Sequence, residues 1–85
     1  MNEVQITYTG WLRDRIGHDD ERVPLDAGVP LVQLIDRVRV QGQPHHGALA
    51  DCSRLRAAIN SQIVPWSTLV NPGDELLLFT PLTGG

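Results

Sequence analysis

The chain has 85 residues, 41% of them hydrophobic, which is enough for one small domain with a modest core. Ten acidic residues outnumber seven arginines, there is no lysine, and the net charge of −3 argues against a nucleic-acid partner. No apolar run approaches the roughly 20 residues that span a bilayer, and nothing near Met1 resembles a secretory signal peptide. We therefore expect a cytoplasmic protein that binds neither nucleic acid nor membrane.

The first part of the chain predicts a hairpin. Apolar and polar residues alternate over residues 4–8, and again more briefly over residues 21–26, which is typical of strands. Pro24 has no amide hydrogen to donate to a neighbouring strand, so the second strand is expected at a sheet edge. The intervening segment, 11–17, favours either one helical turn or a wide loop.

One segment predicts a helix clearly. Pro30 suits the first helical position, which leaves Val29 as the N-cap, and Gly42 and Pro44 end the helix. The apolar residues of this segment recur at the i, i+3, i+4 and i+7 spacing of a single buried face. They are Leu31, Leu34, Ile35 and Val38.

The second half of the chain predicts three more strands. Residues 54–60 alternate, the Asn60-Ser61 pair favours a tight turn, and residues 62–64 form a short returning strand. A short helix is expected at 48–50. The continuous apolar run within 75–79 indicates a strand covered on both faces and hence central in its sheet. This order favours an α+β, ubiquitin-like β-grasp fold, a mixed sheet of about four to five strands with one main helix across it.

Residues suited to catalysis or metal binding are few. His18, His45 and His46 are irregularly spaced and predict solvated loop histidines rather than a metal site, and Asp19-Asp20-Glu21 predicts a solvated loop. Cys52 is the only cysteine, so it can form no internal disulfide, and we expect a partly buried structural side chain. Nucleotide-binding and nucleophile-elbow motifs do not occur in the sequence.

The end of the sequence carries the strongest functional signal. The apolar strand is followed closely by Pro81, which cannot continue sheet pairing, and then by Gly84-Gly85. We therefore expect a single domain over 1–85 whose flexible tail, 80–85, leaves the sheet. Glycine has no side chain, so such a tail can enter a channel too narrow for any other dipeptide. The alternative is a frayed terminus without a function.

This pattern resembles the MoaD/ThiS sulfur-carrier family, and within it most nearly the small subunits of molybdopterin synthase. Thr80 and Leu82 stand where that family commonly has proline and valine. The resemblance covers the whole chain, and the length suits these subunits better than the shorter carriers of the thiamine pathway. It is carried by segment 73–85, by Leu12-Arg13-Asp14 with Gly17, and by Ile59-Asn60-Ser61.

The resemblance implies that partner proteins perform the catalysis. A MoeB-like, E1-like adenylating enzyme would use ATP and magnesium to adenylate the Gly85 carboxylate, and a persulfide donor would supply sulfur for a C-terminal thiocarboxylate. The MoaE-like large subunit of molybdopterin synthase would then receive the tail and transfer the sulfur to the pterin precursor of the molybdenum cofactor. This chain would be the non-catalytic, sulfur-donating subunit, and would itself hold no cofactor or metal.

The resemblance also assigns roles along the tail. Gly84 and Gly85 would be the reacting end, and four residues before them would contact the partner proteins: Phe79, Pro81, Leu82 and Thr83. Simple core packing is an equal alternative for Phe79. Three other functions stay open: a sulfur carrier for thiamine or another thiolation pathway, a ubiquitin-like protein modifier, and an interaction module with an inert tail.

Overall fold

The computed structural model describes residues 2–50 and 54–81. No helix within these ranges is long and apolar enough to cross a membrane. The elements follow in the order β1 (Glu3–Tyr8), α1 (Gly10–Ile16), β2 (Asp20–Pro24), β3 (Val29–Pro30), α2 (Leu31–Arg39), α3 (His45–Ala48), β4 (Arg56–Ile59), β5 (Gln62–Val64), β6 (Leu69–Val70) and β7 (Glu75–Phe79).

Five of the strands form one mixed sheet in the order β2-β1-β7-β4-β5. β1 pairs with β7 in parallel, whereas the β1–β2, β4–β7 and β4–β5 pairs are antiparallel. The last strand therefore lies at the centre and β2, with Pro24, lies at an edge, which confirms both predictions. β3 and β6 form a separate two-stranded sheet.

The core lies on one side of the main sheet. Alternate side chains of the central strands are buried there, and α2 contributes the four apolar residues that its spacing predicted. Among the fully buried side chains are Ile6 and Tyr8 of β1, Leu76 and Leu78 of β7, and Leu34 of α2.

The prediction that β7 is covered on both faces is wrong. Its burial alternates, because Leu76 and Leu78 are buried while Leu77 and Phe79 are only half-buried. Leu77 and Phe79 project from the side of the sheet opposite the core, since side chains alternate along a strand. An apolar residue in this strand is therefore not always a core residue.

The start of α2 differs from the prediction. The helix begins at Leu31, and Pro30 precedes it with a φ of −58° and a ψ of 142°. Val29 and Pro30 are extended because they pair with Leu69 and Val70. The first helical amides are satisfied by distant backbone, since Leu31 N–H donates to Thr68 O at 2.8 Å and Val32 N–H donates to Trp66 O at 3.1 Å. These bonds replace the side-chain cap that the sequence lacks.

The two shorter helices also refine the sequence prediction. Segment 11–17, for which the sequence favoured either one helical turn or a wide loop, forms helix α1. This helix buries Leu12 and Ile16 one turn apart. It ends at Gly17, whose φ of 101° is readily adopted by glycine, with the Gly17 N–H donating to Arg13 O at 2.8 Å. The short helix predicted at 48–50 begins earlier, as α3. Cys52 lies outside the described residues.

The predicted turn at Asn60-Ser61 is confirmed. Both residues have positive φ, 49° and 75°, as a two-residue β-hairpin turn requires. The Asn60 side chain also joins this turn to the start of β7. Its Oδ1 accepts the Glu75 N–H at 3.0 Å, and its Nδ2 donates to Asp74 Oδ1 at 3.1 Å.

Candidate functional site

The chain leaves the sheet at the end of its central strand. Both edges of β7 are paired, with Leu78 beside Tyr8 of β1 and Phe79 beside Arg56 of β4. The Thr9 hydroxyl donates to Leu78 O at 3.3 Å, which adds a side-chain contact on the β1 side. β7 ends at Phe79. The following residues therefore start from a fixed position at one end of a rigid sheet.

The predicted site residues divide into two groups. Phe79 ends β7 and Pro81 follows it, and both are half-buried. The others lie outside the described residues: Leu82, Thr83, Gly84 and Gly85. The flexible tail predicted for 80–85 is therefore described only at Thr80 and Pro81, and the roles assigned along it stay predictions.

The side of the sheet opposite the core carries an apolar patch next to the point where the chain leaves. We call this side of the sheet the open face. By the strand register, its part between β1 and β5 includes Thr7, Arg56, Ala58, Ile63, Leu77 and Phe79. Ile63 is 71% exposed, and Leu77 and Phe79 are half-buried. An open cavity of about 210 Å³ lies here, with Thr7, Ala58 and Leu77 among its lining residues.

The open face becomes polar toward the β2 edge. There Arg22 Nε lies 3.3 Å from Glu3 Oε2, and Gln5 Nε2 donates to Asp20 Oδ2 at 3.1 Å. These pairs are exposed, so they contribute little to stability. An apolar centre beside a polar, solvated margin is the usual organisation of a surface that binds another protein.

Comparison with known proteins agrees with this architecture. The family model described as the ThiS family matches residues 6–85. The chain belongs to the ThiS family. A curated relative of this ThiS-family chain is the molybdopterin synthase sulfur carrier subunit of Mycobacterium tuberculosis (strain ATCC 25618 / H37Rv), which is 30% identical over 87 residues covering 100% of both proteins. The resemblance predicted from the sequence is confirmed.

Solved structures agree on the fold. SAMP1 from Haloferax volcanii superposes with a TM-score of 0.77 at 21% identity, covering 98% of this chain and 99% of that one. The complex of subunits 1 and 2 of molybdopterin-converting factor from Helicobacter pylori 26695 contains a chain with a TM-score of 0.64 at 18% identity, covering 98% and 99%. These likenesses confirm the ubiquitin-like β-grasp fold.

A second group of residues lies on the core side of the sheet, where the prediction of solvated histidines is wrong for His45. His45 is buried, with 8% of its surface exposed, whereas His46 is exposed as predicted. His18 Nε2 lies 2.6 Å from Glu21 Oε2, and His45 Nε2 lies 3.0 Å from the same oxygen. The Tyr8 hydroxyl donates to Glu21 Oε1 at 2.9 Å. We call Tyr8, His18, Glu21 and His45 the histidine cluster.

The prediction of a solvated loop at Asp19-Asp20-Glu21 is also wrong in part, since Asp20 and Glu21 belong to β2. Pairing of Ile6 with Glu21 places the Glu21 side chain on the core side, where only 18% of it is exposed. The sequence does contain a signal for this position. Glu21 alternates with Val23 and Leu25, which are both buried, so it occupies the inward phase of the strand.

The cluster stabilises a charged Glu21 and a neutral Tyr8. Burial alone would raise the pKa of the Glu21 carboxyl, but hydrogen bonds from His18, His45 and Tyr8 outweigh it and hold the pKa below its usual value. Burial, followed by the neighbouring Glu21 carboxylate, raises the pKa of the Tyr8 hydroxyl well above its usual value. Tyr8 is therefore a fixed hydrogen-bond donor to a carboxylate.

Proposed function

We propose that this ThiS-family chain is a sulfur carrier, the small subunit of a molybdopterin synthase. In this proposal the Gly85 carboxylate is adenylated and converted into a thiocarboxylate, which donates sulfur to the pterin precursor of the molybdenum cofactor. The observation that carries the proposal is the alignment, over the full length of both proteins, with a relative named molybdopterin synthase sulfur carrier subunit. The family match extends through the two terminal glycines.

The proposed chemistry begins with activation of the carboxylate. A carboxylate is a poor electrophile, so a partner enzyme of the MoeB type would transfer AMP from ATP to the Gly85 carboxylate, with magnesium bound to the ATP and pyrophosphate released. The outer sulfur of a persulfide donor would then attack the carbonyl carbon and displace AMP, which gives an acyl disulfide. A thiol would cleave the S–S bond of this intermediate, forming a disulfide and releasing the sulfur on the chain. The product is a thiocarboxylate whose sulfur is ionised and nucleophilic near neutral pH.

The fold supports this proposal by fixing the base of the tail. Because β7 is paired on both edges, the tail begins from a rigid end rather than from a mobile loop. Gly84 and Gly85 have no side chains, so the backbone can pass through a narrow channel and hydrogen-bond directly to its walls. The chain presents the reacting group, and the partner enzymes supply the catalytic residues.

We propose that the open face binds the MoaE-like large subunit. Phe79 lies both on this face and at the end of β7, so a partner that covers the patch also meets the departing tail. Pro81, Leu82 and Thr83 would continue the contact along the tail toward the partner's active site. The Helicobacter pylori neighbour is described as a complex of two subunits. We propose that the present chain forms the same kind of complex.

ATP–pyrophosphate exchange with a MoeB-type enzyme tests the activation step. Wild-type chain should support exchange, deletion of Gly84-Gly85 should abolish it, and Gly85→Ala should slow it because a methyl group enters the channel. Thermal unfolding of the deletion variant should stay close to that of the wild type, since the deleted residues are proposed to lie outside the core. Exchange that is equally fast with the deletion variant would refute the proposal.

The rival functions give different products. A ubiquitin-like modifier would yield adducts with lysine amines of other proteins that survive denaturation and thiol. A carrier for thiamine or another thiolation pathway would be activated in the same way but would not co-purify with a large synthase subunit. Recovery of the large subunit with the tagged chain, without lysine adducts, is the result that we expect.

A further inference from the structure

The histidine cluster has the geometry of a set of metal ligands. His18 Nε2 lies 2.6 Å from Glu21 Oε2, and His45 Nε2 lies 3.0 Å from both oxygens of the same carboxylate. The two ring centroids are 6.1 Å apart. One ligand atom from each of the three side chains can be chosen so that all lie within 4.8 Å of one another. Two imidazoles and a carboxylate thus converge on one small volume.

We propose that His18, Glu21 and His45 form a binding site for a divalent transition-metal ion, with zinc as the physiological ligand. Two imidazole nitrogens and one carboxylate oxygen suit zinc and its neighbours in the first transition row, whereas calcium and magnesium prefer sites made of oxygen alone. The site lies on the core side of the sheet, opposite the open face. The proposal does not rest on the proposed sulfur-carrier function.

The distances require only a small rearrangement. A tetrahedral zinc with bonds of about 2.0–2.1 Å holds its ligand atoms about 3.4 Å apart, so the widest pair in the cluster would close by roughly 1.4 Å at most. The His18–Glu21 and His45–Glu21 contacts, at 2.6 Å and 3.0 Å, would widen by about 0.8 Å and 0.4 Å to admit the ion. His18 can supply that movement, because it follows α1 in the connection to β2 and 46% of its side chain is exposed. Because the His18 side chain is exposed, water would supply the fourth ligand from the solvent side.

The surroundings favour a cation at this place. The Tyr8 hydroxyl donates to Glu21 Oε1 at 2.9 Å, which holds the carboxylate with Oε2 toward His18 and with both oxygens 3.0 Å from His45 Nε2. Such a bond from outside the ligand set is common at metal sites and orients the ligand. When zinc binds, each histidine would coordinate through an unprotonated Nε2, and its ring proton would lie on Nδ1.

Zinc titration of the untagged, chelator-treated chain by calorimetry tests the proposal. We expect one zinc per chain, and we expect His18→Ala to lower the affinity by at least about tenfold, since it removes a direct ligand. His18 is the best residue to change because it is exposed. His46→Ala is the matched control, since His46 is the exposed neighbour of His45 and lies outside the cluster. Its affinity for zinc should equal that of the wild type.

A second readout keeps the test independent of folding effects. In NMR spectra of the wild type, zinc should shift the ring signals of His18 and His45 and leave those of His46 in place. His45→Gln, a polar replacement for the buried ring, should also lose affinity. Failure of the wild type to bind zinc, binding that survives His18→Ala, or equal loss in His46→Ala would each overturn the proposal.

Discussion

Ile63 offers the sharpest test of the open face as a binding surface. It lies on the edge strand β5, opposite Ala58, and 71% of its surface is exposed. Fully burying an isoleucine side chain contributes about 1.5–3 kcal/mol, so covering this exposed portion would contribute about 1–2 kcal/mol to partner binding. Ile63→Ala should therefore weaken binding of the large subunit by roughly 5- to 30-fold in Kd.

The measurement is a calorimetric or surface-based titration of the large subunit with each variant. Val40→Ala is the matched control, because Val40 is an apolar residue that is 81% exposed and caps α2 on the other side of the sheet. Both substitutions should change the free energy of unfolding by less than about 0.5 kcal/mol, since both side chains are mainly exposed. Equal affinity in Ile63→Ala and wild type, or an equal loss in Val40→Ala, would refute the assignment of this face.

Two further predictions concern stability. Leu78→Ala should lower the free energy of unfolding by about 3–5 kcal/mol because Leu78 is completely buried, whereas Leu77→Ala on the open face should cost clearly less. Equal losses in urea unfolding would contradict the alternation along β7. Asn60→Ala should cost about 2 kcal/mol, because it removes two side-chain hydrogen bonds and leaves alanine at positive φ. Asn60→Gly should recover part of that loss in thermal unfolding, and no difference between the two variants would contradict the strain argument.

Local chemistry explains the parts of the fold that the sequence predicted well. The Asn60-Ser61 turn follows from the tolerance of asparagine for positive φ. The helical spacing from Leu31 to Val38 likewise depends on residues less than three turns apart. Each of these features depends on neighbours in sequence, so it can be recognised without a structure.

The errors involve contacts between residues distant in sequence. Pro30 was expected inside α2, but pairing with Leu69 holds it extended, and carbonyls from the 66–68 segment cap the helix. Leu77 was expected in a fully covered strand because a partly exposed apolar face and an apolar core have the same composition. Only the three-dimensional arrangement of the strands and helices distinguishes them.

The histidine cluster shows the same limit more strongly. Glu21 and His45 are 24 positions apart and meet because the β1–β2 register turns Glu21 inward while α3 brings His45 over it. Nothing in the sequence indicates that these two residues are in contact. The one available signal was that Glu21 alternates with Val23, so its side chain is expected on the buried face of the strand. A carboxylate at such a position needs hydrogen-bond or charged partners.

The candidate site was identified mainly from the sequence, and the structure of the described residues adds its surroundings. The Gly84-Gly85 ending and the proline before it are features of the sequence, and the structure adds the rigid end of β7 and the open face beside it. The sequence alone does not say which side of the sheet α2 covers. It therefore could not predict that Phe79 lies both at the end of β7 and on the open face.

The central claim is that Gly85 carries sulfur, and the intact mass of the chain tests it most directly. The chain would be incubated with a MoeB-type adenylating enzyme, ATP, magnesium and a sulfide source. Its intact mass would then be measured by mass spectrometry, and fragmentation would locate the change. We predict a mass gain equal to the replacement of one oxygen by sulfur, localised to Gly85. An unchanged mass, with the same enzyme shown to be active on another carrier and on the chain's own adenylation, would contradict the account.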